Sequence, residues 1–466
     1  MKILFLCGGV GKRMQPLRED KFFFKFLGKE LLLHHTGHLK ALGFKEEDFV
    51  FVGNPANIER LRGLCGGGVK YAVQKSPRGM ADAVLTANEE NLIRSPGEDL
   101  LIVNPNDILE PAAYEAILKK GGARGRGDAN ILGYKVDKYF PGGYLVVEEG
   151  EKIRGIVEKP GAGKEPSDLI NIVLHLHRRA DEFIGFLEAE NERRGKGNDR
   201  DDVYERAMGR MMKAGFDFRV VEYDGFWTAI KFPWHILNAM AYFLSTTDKL
   251  HEKQVVNPAT AKIPESVKVE EGAGKVVVEA GAKIFDNVVI KGPAYIGRDS
   301  VVGNNALIRG SQIGDRCVVG YSTEIKNSYI GDDCWFHTNY VGDSVIGNGC
   351  SFGSGAVTAN LRFDEKNISV AVAGVQTDTG LDKLGCLMAE NCKVGVNASI
   401  MPGVRIGANS VVGAGTVVTQ DLEPNKFLFF RAEQKVKENR VLRENRLGGG
   451  KKEEGEKKEE RLSLLF

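Results

Sequence analysis

The amino-acid sequence predicts an α/β domain with a Rossmann-like mixed sheet, followed by a left-handed parallel β-helix of hexapeptide repeats. Residues 1 to about 245 alternate apolar, strand-like runs (KILFLC, DFVFVG, DLLIVN, IRGIVEK) with helix-like segments, which is typical of a mostly parallel sheet. From Ile284 onward an apolar residue returns at every fifth or sixth position, commonly followed by glycine or another small residue. A six-residue period is the repeat of one flat side of a β-helical coil.

These patterns divide the chain into four segments. We predict the α/β domain over 1–245, a linker with the first irregular coils over 246–283, the β-helix over 284–431, and a charged, disordered tail over 432–466. The tail contains GGGKKEEGEKKEER and is too poor in apolar residues to fold alone. The repeat is interrupted between Phe352 and Leu387, where a solenoid can project a loop from one corner without disturbing its stack.

Composition and charge exclude several classes of protein. The 64 Lys and Arg balance 63 Asp and Glu to a net charge of +1, which argues against nucleic-acid or membrane binding through bulk charge. No run reaches the roughly 18 to 20 apolar residues of a membrane span, and the apolar run at the start is too brief for a signal peptide, so we expect a cytoplasmic protein. The seven cysteines form no C-x-x-C pair, which indicates reduced, buried thiols.

The first predicted strand runs directly into a glycine-rich, cationic loop. Gly8, Gly9 and Gly11 would let the backbone approach a polyphosphate, and Lys12 and Arg13 would neutralise its charge. The loop is neither G-x-G-x-x-G nor a Walker A loop, because no Gly-Lys-Ser/Thr closes it. Taken alone, the glycines also fit a tight strand-to-helix turn.

Further residues extend this loop into a longer pattern. GGVGKRMQPL is followed by Lys25 with Leu27-Gly28-Lys29, by Gln74, Pro77, Gly79, Ala81 and Asp82, and by Glu158-Lys159-Pro160. The pattern resembles the signature of the sugar-1-phosphate nucleotidylyltransferases. With the hexapeptide repeat, nearly the whole chain up to Arg431 is similar to the archaeal-type bifunctional UDP-N-acetylglucosamine pyrophosphorylase and glucosamine-1-phosphate N-acetyltransferase family.

The resemblance implies uridylyl transfer from UTP, or thymidylyl transfer from dTTP, to a hexose or hexosamine 1-phosphate. Attack of a sugar-phosphate oxygen on the α-phosphorus needs positioning and charge neutralisation more than a nucleophilic side chain. The implied roles are nucleotide-phosphate binding by Lys12 and Arg13, contact with the reacting phosphates by Lys25, recognition of the base edge by Gln74 and Gly79, and binding of the sugar and its phosphate by Glu158 and Lys159.

The metal position departs from the family pattern at two places. The family has one carboxylate after the strand that reads DLLIVN, where this chain has Asn106 with Asp107 beside it. A second carboxylate normally follows a tryptophan, but FWTAIKFPW has Ala229 there and Lys231 where glycine is expected. Because Mg²⁺ is held by one or two carboxylates with phosphates and waters, Asp107 is the predicted metal ligand.

A second group of polar residues lies on the predicted β-helix. Arg309 and Lys326 each follow an inward aliphatic residue and lie about one coil apart, so stacking puts both cations on one face. Like charges so close repel each other unless an anion joins them, and a phosphate is the natural candidate. His337 and Tyr340 follow one hexad later, and the projecting segment carries Asn360 and Lys366.

These six residues resemble the catalytic set of the glucosamine-1-phosphate acetyltransferases. The resemblance implies that His337 is the general base for the sugar amine, because an imidazole accepts a proton near neutral pH. It also implies acetyl-CoA bound along the later coils, between the subunits of a homotrimer. The remaining implied roles are phosphate binding by Arg309, Lys326 and Lys366, orientation of the sugar by Tyr340 and Asn360, and acetyl-CoA contacts by Gly395, Ala414 and Arg431.

Three interpretations follow from the sequence. The first is a bifunctional enzyme, the second an acetyltransferase with a degenerate front domain, and the third a non-catalytic scaffold. The substituted metal positions favour the second and third interpretations, whereas the complete His337 set weighs against the third. UTP against dTTP, the identity of the sugar phosphate and the role of the tail are left open.

Overall fold

The computed structural model describes residues 1–93, 97–120, 127–148, 150–193, 202–250, 255–270, 272, 274–431 and 433–437. The chain divides into two compact units, Met1–Phe429 and Phe430–Phe466. The α/β part and the β-helix both belong to the first unit. Most of the predicted tail lies outside the described residues.

The α/β part places its helices on both sides of a mixed sheet. Its helices are α1 Leu31–Ala41, α2 Ile58–Cys65, α3 Met80–Glu89, α4 Pro111–Lys120, α5 Ala180–Arg193, α6 Val203–Lys213 and α7 His235–Leu250. Its strands are β1 Lys2–Leu6, β2 Lys25–Phe26, β3 Lys29–Glu30, β4 Phe49–Gly53, β5 Lys70–Val73, β6 Leu100–Val103, β7 Asp107–Leu109, β8 Ala129–Lys135, β9 Gly143–Glu148, β10 Lys152–Glu158, β11 Leu169–His177, β12 Phe218–Tyr223 and β13 Trp227–Ala229.

The strand order of the main sheet fixes where a ligand can bind. Among the described strands the order is β5-β4-β1-β6-β11-β8-β12-β10-β9, and β5, β4, β1 and β6 run parallel. Ile3, Leu4 and Phe5 of β1 are fully buried, as expected of a central strand covered on both faces. The carboxyl ends of parallel strands meet at one edge, which is where such sheets bind ligands.

The C-terminal part is a left-handed parallel β-helix, which confirms the predicted fold class. Its coils form three flat sheets within the described residues. The first contains β14 Val255–Val256, β16 Val276–Val278, β19 Ala294–Ile296, β22 Gln312–Ile313, β25 Tyr329–Ile330, β28 Val345–Ile346, β33 Leu387–Met388 and β36 Arg405–Ile406. The second contains β15 Lys268–Val269, β18 Val289–Lys291, β21 Leu307–Arg309, β24 Glu324–Lys326, β27 Tyr340–Gly342, β30 Val357–Thr358, β35 Ser399–Ile400 and β38 Val417–Val418. The third contains β17 Lys283–Ile284, β20 Val301–Val302, β23 Val318–Val319, β26 Trp335–Phe336, β29 Ser351–Phe352, β34 Lys393–Val394, β37 Val411–Val412 and β39 Phe427–Leu428.

The apolar residues of the repeat form a continuous column inside the coils. Ile308, Ile325 and Val341 occupy equivalent positions on successive strands and are fully buried. Asn residues with positive φ stand at corners between strands, for example Asn305 (59°) and Asn409 (58°), because the short Asn side chain tolerates this backbone region. Aliphatic residues on the sides and Asn or Gly at the corners thus produce the coil.

The first coils begin earlier than the sequence indicated. Helix α7 continues to Leu250, and β14 at Val255–Val256 already pairs in parallel with β16. The segment 255–283 therefore contributes strands to all three sheets, whereas irregular coils were predicted over 246–283. The domain boundaries themselves stay a prediction.

The interrupted coil projects a hairpin that packs on the α/β part. Its strands are β31 Ser369–Val372 and β32 Val375–Asp378. Ile368 and Val370 share an apolar cluster with Ile236 and Phe243 of α7. The two parts are therefore packed together through a core of their own. No helix among the described residues has the length and apolar character needed to cross a membrane.

Candidate active sites

Three of the predicted nucleotide-binding residues meet at the carboxyl edge of the main sheet. Gly8 follows β1 and Gln74 follows β5, and a Cβ atom on Gly8 would collide with the side-chain carbonyl of Gln74. The Gln74 amide donates hydrogen bonds to the Gly79 carbonyl oxygen (3.2 Å) and to Asp82 Oδ2 (2.6 Å). A larger residue at position 8 would therefore displace the Gln74 side chain from the orientation in which these hydrogen bonds hold it at the start of α3.

The rest of the glycine-rich loop presents its cations to solvent. Gly11 has a φ of 57°, in the left-handed region that glycine adopts easily, and it precedes a 3₁₀ turn over Lys12–Met14. Gly9, Lys12 and Arg13 are exposed. The turn thus leaves two cationic side chains free to contact an anion at the carboxyl edge of β1.

Asp107 lies at the same edge in a buried polar network. Its Oδ1 accepts a hydrogen bond from Trp227 Nε1 (3.1 Å), and its Oδ2 accepts one from Asn104 Nδ2 (2.7 Å). The residue is 6% exposed, and burial raises the pKa of its carboxyl to about 6 against the lowering effect of these hydrogen bonds. Ala229 stands directly opposite Asp107 in the β7–β13 pair.

Two lysines that were not assigned a role from the sequence face this carboxylate. Burial, and then the charge of Arg13, lower the pKa of Lys21 to about 8, while Asp107 opposes the shift. Burial also lowers the pKa of Lys231 to about 8, against the opposing charge of Asp107 and with help from Arg13. Because the same charges act on both lysines, Arg13, Lys21 and Lys231 form one cationic group around Asp107.

The predicted sugar-binding pair lies beside the same group. Glu158 ends β10, Lys159 follows it, and both side chains are exposed with their charged atoms 3.5 Å apart. Both charges act on the pKa of Lys231, after burial, Asp107 and Arg13. Glu158 and Lys159 therefore border the cationic group.

Lys25 lies apart from this cationic group in the structure, so its predicted contact with the reacting phosphates stays a prediction. Its ammonium forms an ion pair with Asp332 Oδ2 (2.8 Å) and lies 4.0 Å from Asp315 Oδ2, both on the β-helix. The flanking Phe24 and Phe26 are buried in the cluster between the two parts of the unit, so Lys25 faces the β-helix.

The three phenylalanines that follow Lys21 could have indicated from the sequence that the chain turns at this lysine. Phe22, Phe23 and Phe24 are all buried, and three successive apolar residues do not alternate as a half-exposed strand does. The chain turns here as a 3₁₀ helix over Lys21–Phe23, and the charge of Asp107 acts on the pKa of the Lys21 ammonium.

The residues around Asp107 do not fit a bound Mg²⁺ ion. Both carboxylate oxygens accept hydrogen bonds from neutral donors, and the opposite position is an alanine. The charges of Lys21 and Lys231 already act on this carboxylate, and a divalent cation there would be repelled by both. Within the described ranges no group of three or more His, Cys, Asp or Glu side chains is placed to hold a metal ion.

The second candidate site lies on one face of the β-helix. Arg309 and Lys326 are direct neighbours in the β21–β24 register. Each cation has a carboxylate partner, since Arg309 pairs with Glu324 and Lys326 Nζ lies 2.9 Å from Asp343 Oδ2. The expectation that only a bound anion could relieve their repulsion is therefore wrong. Asp343 could have been identified from the sequence, because it follows Lys326 by 17 residues, which is about the length of one coil.

Tyr340 and Asn360 join this face through the same aspartate. The Asn360 amide donates to the Tyr340 hydroxyl oxygen (3.2 Å) and to the Asp343 carboxylate. Asp343 is 6% exposed and therefore ties Lys326 and Asn360 into one polar network. Four of the six predicted residues, Arg309, Lys326, Tyr340 and Asn360, are thus brought together.

His337 and Lys366 lie near this network without joining it by a hydrogen bond. His337 is exposed on the turn between β26 and β27, three residues before Tyr340. Its backbone N–H donates to Asn339 Oδ1 (2.7 Å), which fixes the turn. Lys366 is exposed on the projecting segment. Across the part of the chain that the structure describes, neither side chain has a hydrogen-bond partner, so both are available to a ligand.

The predicted acetyl-CoA positions fall in two places. Gly395 and Ala414 stack on successive coils, because a Cβ atom on Gly395 would meet the Ala414 backbone nitrogen. Arg431 is exposed and belongs to the second compact unit, Phe430–Phe466.

The fold and the two sites define a class of protein, and comparison with known proteins agrees. Residues 2–213 match the nucleotidyl transferase family, and residues 275–310 and 385–420 match the bacterial transferase hexapeptide repeats. The protein is therefore a transferase that joins a nucleotidyltransferase domain to a hexapeptide-repeat acyltransferase domain.

Relatives of similar length identify the particular family. The chain is 32% identical to the bifunctional protein GlmU of Methanococcus maripaludis strain C5 over 94% of this chain and 100% of that protein. It is 30% identical to the bifunctional sugar-1-phosphate nucleotidylyltransferase/acetyltransferase of Sulfurisphaera tokodaii over 92% of this chain and 99% of that protein. The chain belongs to this bifunctional family, and the scaffold and acetyltransferase-only interpretations are not favoured.

Proposed function

We propose that the protein acetylates glucosamine 1-phosphate with acetyl-CoA and then couples the product to UTP, giving UDP-N-acetylglucosamine and pyrophosphate. One observation carries this proposal: two separate groups of cationic and polar side chains, one at the carboxyl edge of the sheet and one on the β-helix, each suit a sugar phosphate. Thymidylyl transfer from dTTP, or another hexosamine phosphate, is the alternative substrate choice.

At the N-terminal site the chain positions phosphates and supplies positive charge. A sugar-phosphate oxygen forms a bond to the α-phosphorus of UTP, the bond from that phosphorus to the bridging oxygen breaks, and pyrophosphate leaves with the electron pair. Lys12 and Arg13 hold the nucleotide phosphates, and the Gln74 and Gly79 pair holds the base edge. The resemblance also implied Mg²⁺ as cofactor, but the residues around Asp107 do not fit that ion, so no step involves it.

At the β-helix site the amine of glucosamine 1-phosphate attacks the thioester carbonyl of acetyl-CoA. His337 accepts the amine proton, the amide bond forms as the thioester C–S bond breaks, and the departing CoA sulfur takes a proton from the His337 imidazolium to leave as a thiol. Arg309, Lys326 and Lys366 bind the sugar phosphate, which inserts between the cations and their carboxylate partners Glu324 and Asp343. Tyr340 and Asn360 orient the sugar ring.

The remaining predicted features belong to the same proposal. Acetyl-CoA lies along the later coils, in contact with Gly395, Ala414 and Arg431, between neighbouring subunits of a homotrimer. The domains divide as 1–245, 246–283, 284–431 and 432–466. We also place the enzyme in the cytoplasm, because a reducing compartment suits the seven cysteines, none of which forms a disulfide in the structure.

Two assays test the proposal with the purified full-length protein. CoA release is measured with acetyl-CoA and glucosamine 1-phosphate, and pyrophosphate release with UTP and N-acetylglucosamine 1-phosphate. Both should turn over, and galactosamine 1-phosphate and dTTP should be poorer substrates. The acetyl-transfer proposal fails if no amino-sugar phosphate releases CoA, and the uridylyl-transfer proposal fails if no nucleotide releases pyrophosphate.

A further inference from the structure

The N-terminal site lacks a second carboxylate and has a lysine close to where that carboxylate would stand. Ala229 is paired with Asp107 across β7 and β13, and directly opposed residues of an antiparallel pair place their Cβ atoms roughly 5 Å apart on one face. Lys231 follows two residues later, and its ammonium and the Asp107 carboxylate affect each other's pKa. A positive side chain two residues beyond Ala229 therefore interacts electrostatically with the buried carboxylate, at a distance greater than that of an ion pair.

The cations of this site form no close ion pair with an acidic side chain of the described residues, although Asp107 and Glu158 act on them at longer range. Within the described part of the chain, no carboxylate lies within 4.0 Å of the charged atoms of Arg13, Lys21 or Lys231. On the β-helix, by contrast, Arg309 and Lys326 are both paired with acidic side chains. The positive charge left over at the N-terminal site requires an anion, and a nucleoside triphosphate carries several negative charges.

Lys231 is held in place by contacts that leave donors free. Its Nζ lies 3.8 Å from the centroid of the Phe140 ring and 3.4 Å from the Pro141 carbonyl oxygen. Its backbone nitrogen lies 3.2 Å from His235 Nδ1, whose N–H donates to the Ala229 carbonyl oxygen (2.8 Å) at the start of α7. An ammonium group has three donors, so this ring and one weak carbonyl contact leave hydrogen bonds available for phosphate oxygens.

We propose that the Lys231 ammonium, together with Lys21, neutralises the nucleotide phosphates in place of a divalent cation, so that this site binds UTP without a metal ion. The proposal rests on the uridylyl-transfer function proposed above. The bonds formed and broken are the same, and the charge of the departing pyrophosphate is met by Arg13, Lys21 and Lys231. No further co-reactant is required.

Nucleotide binding tests the proposal without requiring turnover. UTP affinity is measured by isothermal titration calorimetry of the full-length protein, once with EDTA and once with excess Mg²⁺. Wild type should bind UTP in EDTA with nearly the same affinity as in Mg²⁺. The variant Lys231→Met should lose about 100-fold in EDTA, the effect of removing one preorganised charge from a phosphate site. Lys213→Met, an exposed lysine at the end of α6, is the matched control and should bind as wild type.

The opposite results overturn the proposal. If wild-type UTP binding disappears in EDTA and returns with Mg²⁺, the site needs a metal. If Lys231→Met binds UTP in EDTA as tightly as Lys213→Met does, the lysine does not contact the phosphates. Because these measurements do not depend on turnover, a protein that binds UTP in this way but releases no pyrophosphate would contradict the proposed function and support the inference.

A double substitution that restores the missing carboxylate provides a second, independent test. The double variant Ala229→Asp/Lys231→Gly gives the site a second carboxylate opposite Asp107 and removes the ammonium. Its UTP binding should become dependent on Mg²⁺, with an affinity gain of about 100-fold on adding the ion, whereas wild type gains little. The proposal is contradicted if the double variant binds UTP equally well with and without Mg²⁺ and Lys231→Met also binds UTP as wild type does. Lys231 would then not take the place of the metal ion.

Discussion

The two candidate sites use cations in opposite ways. On the β-helix, Arg309 and Lys326 are register neighbours whose charges are balanced by Glu324 and Asp343. At the edge of the main sheet, Arg13, Lys21 and Lys231 surround one buried carboxylate that burial pushes toward its neutral form. A phosphate that enters the first site competes with acidic partners, whereas a phosphate that enters the second site meets unpaired charge.

This difference shows what the positions of charged residues in a sequence can and cannot predict about anion binding. Two stacked cations were sufficient to predict an anion site on the β-helix, but the structure supplies carboxylates for both. The uncompensated charge lies in the other site, where the sequence indicated lost metal ligands. Whether a cation has an acidic partner matters more than whether two cations are close together when a bound anion is inferred.

The largest expected effect separates the two sites by function. Replacing His337 with alanine should reduce acetyl transfer by about 10³-fold, the typical contribution of a general base, because no other exposed imidazole lies in the described part of the β-helix. CoA release and pyrophosphate release should be measured on the same preparation, and pyrophosphate release should be unchanged. Thr338→Ala, at the exposed neighbouring position, is the control. A variant within tenfold of wild type in CoA release would remove His337 as the base.

The next effect distinguishes two lysines that are four residues apart in sequence. Lys21→Met should lower pyrophosphate release by about 100-fold, because it removes one of the three positive charges proposed to neutralise the reacting phosphates. Lys25→Met should leave the rate close to wild type and instead weaken the packing of the two parts, since its partner is Asp332. Steady-state kinetics and thermal unfolding of both variants check the pair. Equal losses of activity in the two variants would show that Lys25 also contributes to the reaction and would contradict this prediction.

The outcome for these residues shows what the sequence could predict. The six-residue period predicted that Arg309 stacks on Lys326, because residues one coil apart become neighbours on adjacent strands. The position of Lys25 could not be obtained in this way, since it depends on Asp332, which is 307 residues away in sequence. The backbone of the same segment is also fixed at long range, because Gln312 accepts from Leu27 N–H (2.9 Å) and donates to the Lys25 carbonyl (2.8 Å).

The polar groups inside the two parts also differ in their response to pH. The α/β part buries histidines, and His35 illustrates how they are held. Its Nε2 lies 3.1 Å from the Pro105 carbonyl oxygen and its Nδ1 contacts the Tyr114 hydroxyl, so a neutral ring satisfies both atoms. Burial lowers its pKa to about 3. The buried polar side chains of the described β-helix include serine, threonine, cysteine and Asp343 but no histidine, and burial raises the pKa of Cys317 well above its ordinary value.

We therefore expect the buried histidines of the α/β part to lower the stability of the protein in acid. A neutral buried His35 binds no proton in the folded state, whereas the unfolded chain binds one below an ordinary histidine pKa of about 6.5, so the free energy of unfolding falls as pH decreases below that value. The slope from one such histidine is about 1.4 kcal/mol per pH unit. His35→Leu should make the slope shallower by that amount in denaturant titrations between pH 6 and pH 4.5. An unchanged slope would show that His35 already binds a proton in the folded state.

The smallest effect concerns a ladder of side chains that links successive coils of the β-helix. Ser300 Oγ accepts from the Cys317 N–H (2.9 Å) and donates to the Gly314 carbonyl (2.7 Å). One coil later, Cys317 Sγ accepts from the Cys334 N–H (3.4 Å) and donates to the Gly331 carbonyl (3.1 Å). Serine and cysteine thus make the same pair of hydrogen bonds at one repeated position of the coil.

This equivalence predicts a difference between two substitutions at Cys317. Cys317→Ala removes both contacts and leaves a buried N–H and carbonyl without that partner, which should lower the free energy of unfolding by about 1 to 2 kcal/mol. Cys317→Ser recreates the arrangement seen at Ser300 and should remain within about 1 kcal/mol of wild type. Chemical denaturation followed by circular dichroism measures both values. If alanine and serine destabilise the protein equally, the ladder contributes through packing alone and the hydrogen bonds between coils add nothing.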